Sequence, residues 1–554
     1  MDYDVEQLLK KINELSAELK AAKKYGLVWD REHTKEEVVI QCEENIPILV
    51  NDKNKTIRNG GQNNILIEGD NYHSLTILNY ILKGAIDIIY IDPPYNTGNK
   101  DFTYNDNYIN SDDGYRHSKW LSFMKKRLDL ARELLSDEGV IFISIDDREY
   151  AQLKLLCDSI FGEPNFIDSL IWKKTENIKM DSKFLSQNKD YVLIYRKTDN
   201  VVGFSKEKSG IERFKLEDKK GRYYLRKLDS LSSSYSRGMD YVITHDGVEY
   251  YPGGSKEKWI ERQNTPAKKK APTWLWSKEK YEQGLLDGEI VFKNGNVYNK
   301  VRYDGIAKKP YINIQNIVSQ QTAQKELDDL FGARVFDHPK PPQLIKWLLN
   351  LYNNKEDYLV LDFFAGSGTT GQAVLELNNE DNGNRRFILC TNNENNICEN
   401  ITYERLKTVI SGKRSDLSKY SDGLLGNLYY FKTDFIKDEV NTEQAKYNLV
   451  EKVDSLLCIL EDTYDEVERN DYSSHYKNLN KHLFIYSDYY NVQKFSLFKE
   501  KIMSVNGEVA VYIYSGDNNI DENLIKKENV VLKPIPSKIY EIYKELAETI
   551  KREN

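Results

Sequence analysis

Cysteine is scarce in this chain, and no residue spacing typical of a metal site is present. The 554 residues contain five cysteines, at positions 42, 157, 390, 398 and 458, and none of them forms a CxxC pair. An odd number of scattered cysteines argues against a zinc cluster and against a disulfide framework. The seven histidines show neither HExxH nor HxH spacing, so we expect no metal ion in the function.

Long apolar runs are also absent. No run approaches the roughly 20 residues that a helix needs to cross a bilayer. The segment 1–24 is charged throughout and lacks the apolar core of a secretory signal. We therefore expect a cytoplasmic protein without membrane contact. The net charge of −8 excludes a uniformly basic coat for nucleic acid but leaves room for a local basic patch.

A heptad-like pattern is present near the N-terminus. Apolar residues from Val5 to Ala22 follow one another in steps of three and four, as in the apolar seam of an amphipathic helix. We predict a helix within residues 1–30. This helix either joins two copies of the chain or packs on its own domain, and the pattern favours the dimer.

The segments 31–198 and 336–411 alternate between strand-like and helix-like patterns. Apolar runs rich in branched residues predict buried strands, and apolar residues at helical spacing predict the helices between them. The strand runs are 64–68, 85–91, 139–145, 358–364 and 386–390. Such alternation predicts an α/β fold with a parallel sheet and helices on both of its faces.

Two other segments differ from this pattern. Residues 199–335 are rich in glycine, lysine and tyrosine and have no long helical pattern, which predicts an inserted domain of short strands and loops. Residues 412–554 alternate again and predict a C-terminal α/β domain to which the sequence assigns no chemistry.

The tetrapeptide Asp92-Pro93-Pro94-Tyr95 follows a predicted buried strand that ends at Ile91. Ligands of parallel sheets bind beyond the carboxyl ends of the strands, and two consecutive prolines make the turn rigid. The Asp92 carboxylate and the Pro93 carbonyl could both accept hydrogen bonds from one exocyclic amino group and so restore the lone pair of its nitrogen. Tyr95 could stack on a base flipped out of a duplex. The alternative is a simple Asp-Pro-Pro turn with an exposed tyrosine.

A second predicted strand end carries a glycine turn. Residues 362–370 read Asp-Phe-Phe-Ala-Gly-Ser-Gly-Thr-Thr, and Gly366 and Gly368 allow a sharp turn and a close approach of a ligand to the backbone. The helix that follows offers free N–H groups, with Thr369 or Thr370 as its cap. The lack of a GK[ST] continuation excludes a phosphate-binding Walker loop, and the full GxGxxG spacing of a dinucleotide site is also missing. Alone, the motif is equally well explained by an ordinary strand-to-helix turn.

Together, the two motifs resemble those of the β-group of amino-methyltransferases, in which DPPY precedes the FxGxG motif for S-adenosylmethionine (AdoMet). The run at 364–368 follows Asp92 by about 270 residues, with a variable segment between them, and this order is the group's circular permutation. The longer run at 92–98, with Phe102 and Tyr104 after it, is similar to the modification (Mod) subunit of type III restriction-modification systems. So is the run Tyr-Gly-Leu-Val-Trp at 25–29, and the resemblance covers about residues 1–410.

This resemblance implies a Rossmann-like, circularly permuted AdoMet-dependent methyltransferase fold, and methylation of adenine N6 in duplex DNA by base flipping. It implies catalytic roles for Asp92, Pro93, Pro94 and Tyr95. The residues that it implies for AdoMet binding are Asp70, Asp362, Phe364, Ala365, Gly366, Ser367, Gly368, Thr369, Lys340 and Asn392.

Some of these roles differ in kind. The glycine motif would hold the methionine part of AdoMet, and Asp70 would bind near its adenine end. Lys340, in the run His-Pro-Lys-Pro-Pro at 338–342, would pair with the carboxylate of the cofactor, unless it is a solvated lysine in a turn. The family places an acid for the ribose after the strand at 386–390, but Thr391 stands there, so Asn392 or one of the next two residues would replace that acid.

The inserted segment, 199–335, would be the target-recognition domain of such an enzyme. Between positions 256 and 309 the sequence has thirteen Lys or Arg and seven Asp or Glu, a local excess of six positive charges. Lys268, Lys269 and Lys270 are the densest cluster and are candidates for contacts with DNA phosphates. Trp274 is either a further DNA contact or a core residue of that domain, and the core is the favoured interpretation.

Two rival functions share these motifs. Cytosine N4 methylation uses the same amine chemistry, but its motif often begins with serine, so Asp92 favours adenine. A non-catalytic specificity or scaffold subunit would keep the fold without the chemistry, and the two intact motifs argue against it. The expected partners are double-stranded DNA, a second copy of the chain and a separate restriction (Res) helicase-nuclease subunit, because the chain has no Walker loop of its own.

Overall fold

The computed structural model describes most of the chain between residues 36 and 535, and Trp29. The described residues are Trp29, 36–98, 103–104, 107–108, 113–175, 185–201, 203–205, 207–208, 214–232, 235–264, 270–303, 308–309, 313–315, 317–352, 357–436, 452–487, 492–514, 520–521 and 523–535. The helix predicted within 1–30 lies outside the described residues except for Trp29, and its role in a dimer stays a prediction.

Twelve α-helices and twenty-seven strands are assigned within these ranges. The helices are α1 (Glu37–Glu44), α2 (Asn71–Ile81), α3 (Arg116–Leu134), α4 (Tyr150–Phe161), α5 (Lys256–Asn264), α6 (Lys278–Leu286), α7 (Gln320–Phe331), α8 (Pro342–Leu351), α9 (Thr369–Asp381), α10 (Glu404–Ser411), α11 (Asp454–Glu461) and α12 (Val492–Ser504). The strands of the first half are β1 (Ile46–Asn51), β2 (Asn63–Glu68), β3 (Ile86–Ile91), β4 (Thr103–Tyr104), β5 (Asn107–Tyr108), β6 (Leu135–Ile145), β7 (Phe166–Lys173), β8 (Lys189–Arg196), β9 (Glu207–Lys208), β10 (Leu216–Asp218), β11 (Gly221–Lys227), β12 (Asp229–Ser232), β13 (Ile243–His245) and β14 (Val248–Tyr250). Those of the second half are β15 (Ala271–Trp274), β16 (Ile290–Lys293), β17 (Asn296–Arg302), β18 (Lys308–Lys309), β19 (Ile314–Gln315), β20 (Leu359–Asp362), β21 (Arg386–Thr391), β22 (Asn427–Ile436), β23 (Asp465–Arg469), β24 (Ser473–Asn478), β25 (Lys481–Tyr486), β26 (Glu508–Tyr514) and β27 (Val530–Ile535).

The main sheet has ten strands in the order β1-β22-β2-β21-β20-β3-β6-β8-β7-β19. The six strands from β22 to β6 are parallel to one another. The strands on either side of them, β1 and β8, are antiparallel to β22 and β6. Three strands from after the insert, β22, β21 and β20, lie among β1, β2 and β3 from before it. The prediction of an α/β methyltransferase-type sheet in permuted chain order is confirmed.

Buried branched residues explain why the central strands form. Ile86, Ile88, Ile89 and Ile91 of β3 are all inaccessible to solvent. A strand that is apolar on both sides is stable only when helices cover both faces of its sheet. The sequence run therefore dictates a central position in the sheet for β3.

Alternate residues of β21 show the two covered faces. Ile388 and Cys390 belong to the apolar core shared with α2 and α3. Leu389 points to the other face, where a Cβ added to Gly371 of α9 would lie 3.1 Å from it and 2.6 Å from Leu406 of α10. Glycine at position 371 thus lets α9 pack closely between the sheet and α10.

The insert forms a compact unit of its own, Ser205–Tyr311. Its largest sheet has the order β10-β11-β17-β16. The predicted end of the insert at 335 is wrong, because β19 pairs with β7 of the main sheet and the unit that contains this sheet resumes at Ile312. Trp274 is 3% exposed and its Nε1 donates to the Tyr241 carbonyl at 2.7 Å, so it is a core residue, as the favoured interpretation has it, and its alternative assignment as a DNA contact is corrected.

The predicted boundary at 412 is also wrong. Strand β22 lies inside the main sheet, antiparallel to β1 on one side and parallel to β2 on the other. The C-terminal region begins beyond it and contains a five-stranded sheet in the order β23-β24-β25-β26-β27. It packs on the main sheet, where the rings of Tyr429 and Tyr464 stack at 4.0 Å. No helix among the described residues is long and apolar enough to span a membrane.

The position of β22 predicts a large loss of stability when its core side chain is removed. Phe431 is fully buried, so Phe431→Ala should lower the free energy of unfolding by about 3–5 kcal/mol, as measured by urea denaturation. Leu425→Ala, at a residue that is 69% exposed two positions before the strand, is the control and should have little effect. A loss below about 1 kcal/mol for Phe431→Ala would show that β22 is not part of the core.

Candidate active site

The two sequence motifs lie at the ends of neighbouring strands. Strand β20 is parallel to β3, with Val360 opposite Ile88 and Leu361 opposite Ile89. Asp362 is the last residue of β20, and Asp92 is the first residue after β3. Two carboxyl groups that are about 270 residues apart in the sequence therefore share one edge of the sheet, where ligands of such sheets bind.

A buried lysine contacts the first motif. The Nζ of Lys340, two residues before α8, donates to both carboxylate oxygens of Asp92, at 2.6 and 2.7 Å, and to the hydroxyl of Tyr95 at 2.9 Å. Lys340 is only 7% exposed, and its Nζ lies 4.9 Å from the centre of the Tyr95 ring. The structure thus places Lys340 on the acid of the motif, where the sequence assigned it to a cofactor carboxylate.

A buried tryptophan holds the backbone of this turn. Trp120 of α3 is fully buried, and its Nε1 donates to the carbonyl of Pro94 at 2.7 Å.

Desolvation raises the pKa of Tyr95 well above its usual value, and the nearby charges of Asp190 and Asp92 act in the same direction. The Tyr95 hydroxyl therefore stays neutral, and Tyr95 as a whole is partly exposed.

The carboxylate of Asp362 holds the glycine turn together. Its Oδ1 accepts a hydrogen bond from the Phe364 amide at 3.0 Å, and its Oδ2 accepts one from the Thr370 hydroxyl at 2.5 Å. Gly368 has a φ of 80°, and an added Cβ there would lie 3.2 Å from Cγ2 of Thr402. Glycine is needed at this position both for the backbone conformation and for the close packing.

A buried arginine that the sequence analysis missed supports the same turn. Arg405 of α10 is 2% exposed, and burial lowers its pKa to about 10. It donates to the hydroxyls of Ser367 at 2.9 Å and Thr369 at 2.8 Å, and to Oε1 of Gln372 at 2.8 Å. These side chains therefore face the protein, and a ligand at the turn would meet the backbone. The one signal of this role in the sequence is that Arg405 stands directly before the apolar Leu406 in an amphipathic helix.

Asp70 takes part in a second buried network that the sequence did not reveal. Its Oδ1 caps α2 by accepting from the Tyr72 amide at 2.7 Å and lies 3.3 Å from Nη2 of Arg127. Arg127 also pairs with the buried Glu36 at 2.8 Å. Asn71 donates to the Phe363 carbonyl at 2.9 Å, which connects the end of β2 to the end of β20.

The remaining predicted residues lie at the end of β21 and in the insert. Thr391 ends β21, and its carbonyl accepts from the Gly69 amide at 3.0 Å. Asn392 is exposed directly after it, and Oδ1 of Asn393 accepts from the Glu399 amide at 3.2 Å. In the insert, Lys270 is exposed, while Lys268 and Lys269 lie outside the described residues.

Comparison with known proteins matches residues 86–404 to the DNA methylase family of N6 and N4 enzymes. The chain is 36% identical over 376 residues to the StyLTI Mod subunit of a type III restriction-modification enzyme from Salmonella typhimurium, a match that covers 63% of this chain and 56% of that one. It is 34% identical to the EcoPI Mod subunit of Escherichia phage P1, with 63% and 60% covered.

A third relative is matched over most of its length. The type II methyltransferase M.KpnI of Klebsiella pneumoniae is 35% identical over 392 residues, which cover 66% of this chain and 87% of the relative. The match thus spans less than two thirds of the two Mod relatives but nearly the whole of the type II enzyme.

The Asp362 carboxyl group should make the stability of the protein depend on pH. Burial raises its pKa from 3.8 to about 7, and the charge of Asp92 acts in the same direction. Between pH 4 and 7, the Asp362 carboxyl group is protonated in the folded chain and ionised in the unfolded chain. Stability therefore falls as the pH rises through this range. In Asp362→Asn, stability relative to the wild type should increase by about 3 kcal/mol between pH 5 and 8.

Urea denaturation across this pH range measures the difference. Asp357→Asn is the control, because Asp357 is exposed five residues before Asp362 and its removal should leave the pH dependence unchanged. A constant difference between Asp362→Asn and the wild type at all pH values would contradict the prediction.

Proposed function

The chain belongs to the DNA methylase family, and on this basis we propose that it transfers the methyl group of AdoMet to the N6 amino group of adenine in duplex DNA. The observation that carries the proposal is the contact of Lys340 with the first motif. The Nζ of Lys340, which is hydrogen-bonded to the Asp92 carboxylate, lies 4.9 Å from the centre of the Tyr95 ring. A base stacked on Tyr95 would present its amino group to the same carboxylate.

The geometry supports a role for Asp92 in preparing the amine. The amino nitrogen of adenine is a poor nucleophile because its lone pair is delocalised into the ring. Hydrogen bonds accepted by the Asp92 carboxylate and the Pro93 carbonyl would draw this nitrogen toward tetrahedral geometry and localise the lone pair. Since Lys340 now donates to both oxygens of Asp92, the incoming amino group must either replace one of these hydrogen bonds or share a carboxylate oxygen with Lys340.

The chemistry of the neighbouring turn fits AdoMet. The backbone at Gly366 and Gly368, with no side chains to block it, and the ends of β2 and β21 form an edge that can accept an extended ligand. The Asp92 carboxylate at this edge carries a charge that complements a sulfonium cation. When bound, AdoMet supplies an activated methyl group on positively charged sulfur. Phe364 and the glycine turn would hold its methionine part, and Asp70 and Asn392 its nucleoside part.

We propose the unit Ser205–Tyr311 as the part that chooses the DNA sequence. It is separate from the unit that carries both motifs, and it contains the basic run that ends at Lys270. The similarity to two Mod subunits supports a role as the modification subunit of a type III system, acting as a dimer and together with a Res subunit.

Cytosine N4 methylation is the second candidate, because the matching family includes N4 enzymes. The acid at position 92 favours adenine. Both functions use the same amine chemistry, so the methylated product distinguishes them.

The product of the reaction tests the proposal. Purified protein incubated with AdoMet labelled in the methyl group and with bacterial DNA should yield label in N6-methyladenine, detected after digestion to nucleosides. Label only in 4-methylcytosine would overturn the adenine assignment. Sequencing of the modified DNA then gives the recognition sequence.

Asp92→Asn is the inactive variant for this assay. It keeps a partner for Lys340, whereas Asp92→Ala would leave a buried ammonium group beside an apolar side chain. The loss of the carboxylate should lower kcat about 100- to 1000-fold, with a smaller loss of melting temperature than in Asp92→Ala. Wild-type activity in Asp92→Asn would remove this residue from the mechanism.

The basic run of the insert predicts the salt dependence of DNA binding. Each phosphate contact that is lost lowers the slope of log Kd against log salt by about 0.9. Replacing Lys268, Lys269 and Lys270 by alanine should therefore lower the slope by about 2–3. A control that replaces three exposed lysines elsewhere, Lys413, Lys477 and Lys526, should leave it unchanged. Equal effects of the two triple variants would argue against a specific role of the run.

A further inference from the structure

The turn that carries Asp92 and Tyr95 is tied to a buried carboxylate outside the motif. Glu149 lies at the start of α4, where its carbonyl accepts from the Leu153 amide at 2.8 Å. Its side chain is inaccessible to solvent, and Oε1 accepts a hydrogen bond from Nδ2 of Asn96 at 2.6 Å. Asn96 directly follows Tyr95, so this hydrogen bond reaches the last residue of the turn.

Asn96 itself is held in an unusual conformation. It is 1% exposed and has a φ of 56°, in the left-handed region that asparagine tolerates better than most residues. Its Nδ2 also lies 3.4 Å from the carbonyl of Arg116 at the start of α3. One side chain thus connects the end of the turn to the first residues of two helices.

A histidine completes this arrangement. Nδ1 of His117 lies 2.6 Å from the same Oε1 of Glu149, and Nε2 of His117 accepts from Nε of Arg116 at 3.2 Å. Because Nε2 accepts from Arg116, the ring proton is assigned to Nδ1, which donates to Glu149. Oε1 of Glu149 therefore receives two hydrogen bonds, one of them from the turn.

The hydrogen bonding of the buried Glu149 and Asn96 side chains is incomplete. Among the described residues, neither Oε2 of Glu149 nor Oδ1 of Asn96 has a hydrogen-bond partner. Burial of such atoms is unfavourable, and it calls for an explanation other than stability. The explanation available here is the position of the catalytic turn, which Trp120 holds at Pro94 and Glu149 holds at Asn96.

We propose that Glu149 is a positioning residue for methyl transfer, which acts through Asn96, with support from His117, to hold Asp92 and Tyr95 in the geometry that captures the base. The proposal rests on the function proposed above. It differs from that function in assigning a role to a residue that touches neither the base nor the cofactor. Displacement of a reacting group by about 1 Å is enough to lower a rate about 100-fold.

Steady-state methyl transfer by Glu149→Ala and Glu149→Gln tests the role. We expect Glu149→Ala to lower kcat about 100-fold, with the KM for AdoMet within about threefold of the wild type, since the glycine turn is untouched. Glutamine keeps an oxygen that can accept from Asn96 and His117, so Glu149→Gln should recover most of kcat. The double variant Asn96→Ala/Glu149→Ala should be no slower than the slower single variant, because both act through one hydrogen bond.

Glu461→Ala is the matched control for lost stability. Glu461 of α11 is also a buried carboxylate, and it accepts hydrogen bonds from Tyr512 and Lys533 at 2.6 and 2.7 Å in the C-terminal region. Its loss should lower the melting temperature without changing kcat. Equal losses of kcat in Glu149→Ala and Glu461→Ala would show that the effect of Glu149 is structural only.

Hydrogen exchange of the turn gives a readout that does not require activity. In Glu149→Ala, the amides of residues 95–98 should exchange at least about tenfold faster than in the wild type, and in Glu461→Ala they should not. Unchanged exchange together with unchanged kcat would overturn the proposal for Glu149. A wild-type protein that methylates no DNA would instead count against the proposed function, and hydrogen exchange would still decide whether Glu149 holds the turn.

Discussion

The parallel pairing of β20 with β3 is the constraint on which the site depends. Only two residue pairs, Val360 with Ile88 and Leu361 with Ile89, register these strands, yet this pairing brings two distant motifs to one edge. Ligands bind there because the carboxyl ends of parallel strands converge on the same side of the sheet. The apolar residues of β3 and β20 are thus as necessary to the proposed chemistry as the acids that follow them.

The contact of Lys340 with Asp92 shows how much the site must change during a reaction. Both carboxylate oxygens of Asp92 are engaged by an ammonium group that is almost fully buried. A base amino group competes for these acceptors, and the charge of Lys340 makes them weaker acceptors while it stays in place. Binding of the base therefore requires either movement of Lys340 or sharing of the carboxylate between two nitrogens.

The sequence was sufficient where local pattern decides structure. Apolar runs predicted β3, β6 and β20, and Asp92 and Gly366 were found because rigid turns at strand ends have recognisable composition. Arg405 and Glu149 were missed because each lies among other charged residues, at 404–407 and 146–149, and its partners come from elsewhere in the chain. The boundary at 412 failed for a related reason. Strand β22 pairs with β2, more than 350 residues earlier, and pairing at such a distance leaves no local signal.

The location of β22 also has a consequence for biosynthesis. A ribosome has made both motifs by residue 370, but the sheet still lacks the strand that separates β1 from β2. Until residue 436 has emerged, the nascent chain exposes an unpaired edge of β2, the kind of edge that promotes association with other chains. The catalytic core is therefore completed at a late step of translation. Fragments that end before β22 contain both motifs, but their main sheet is incomplete.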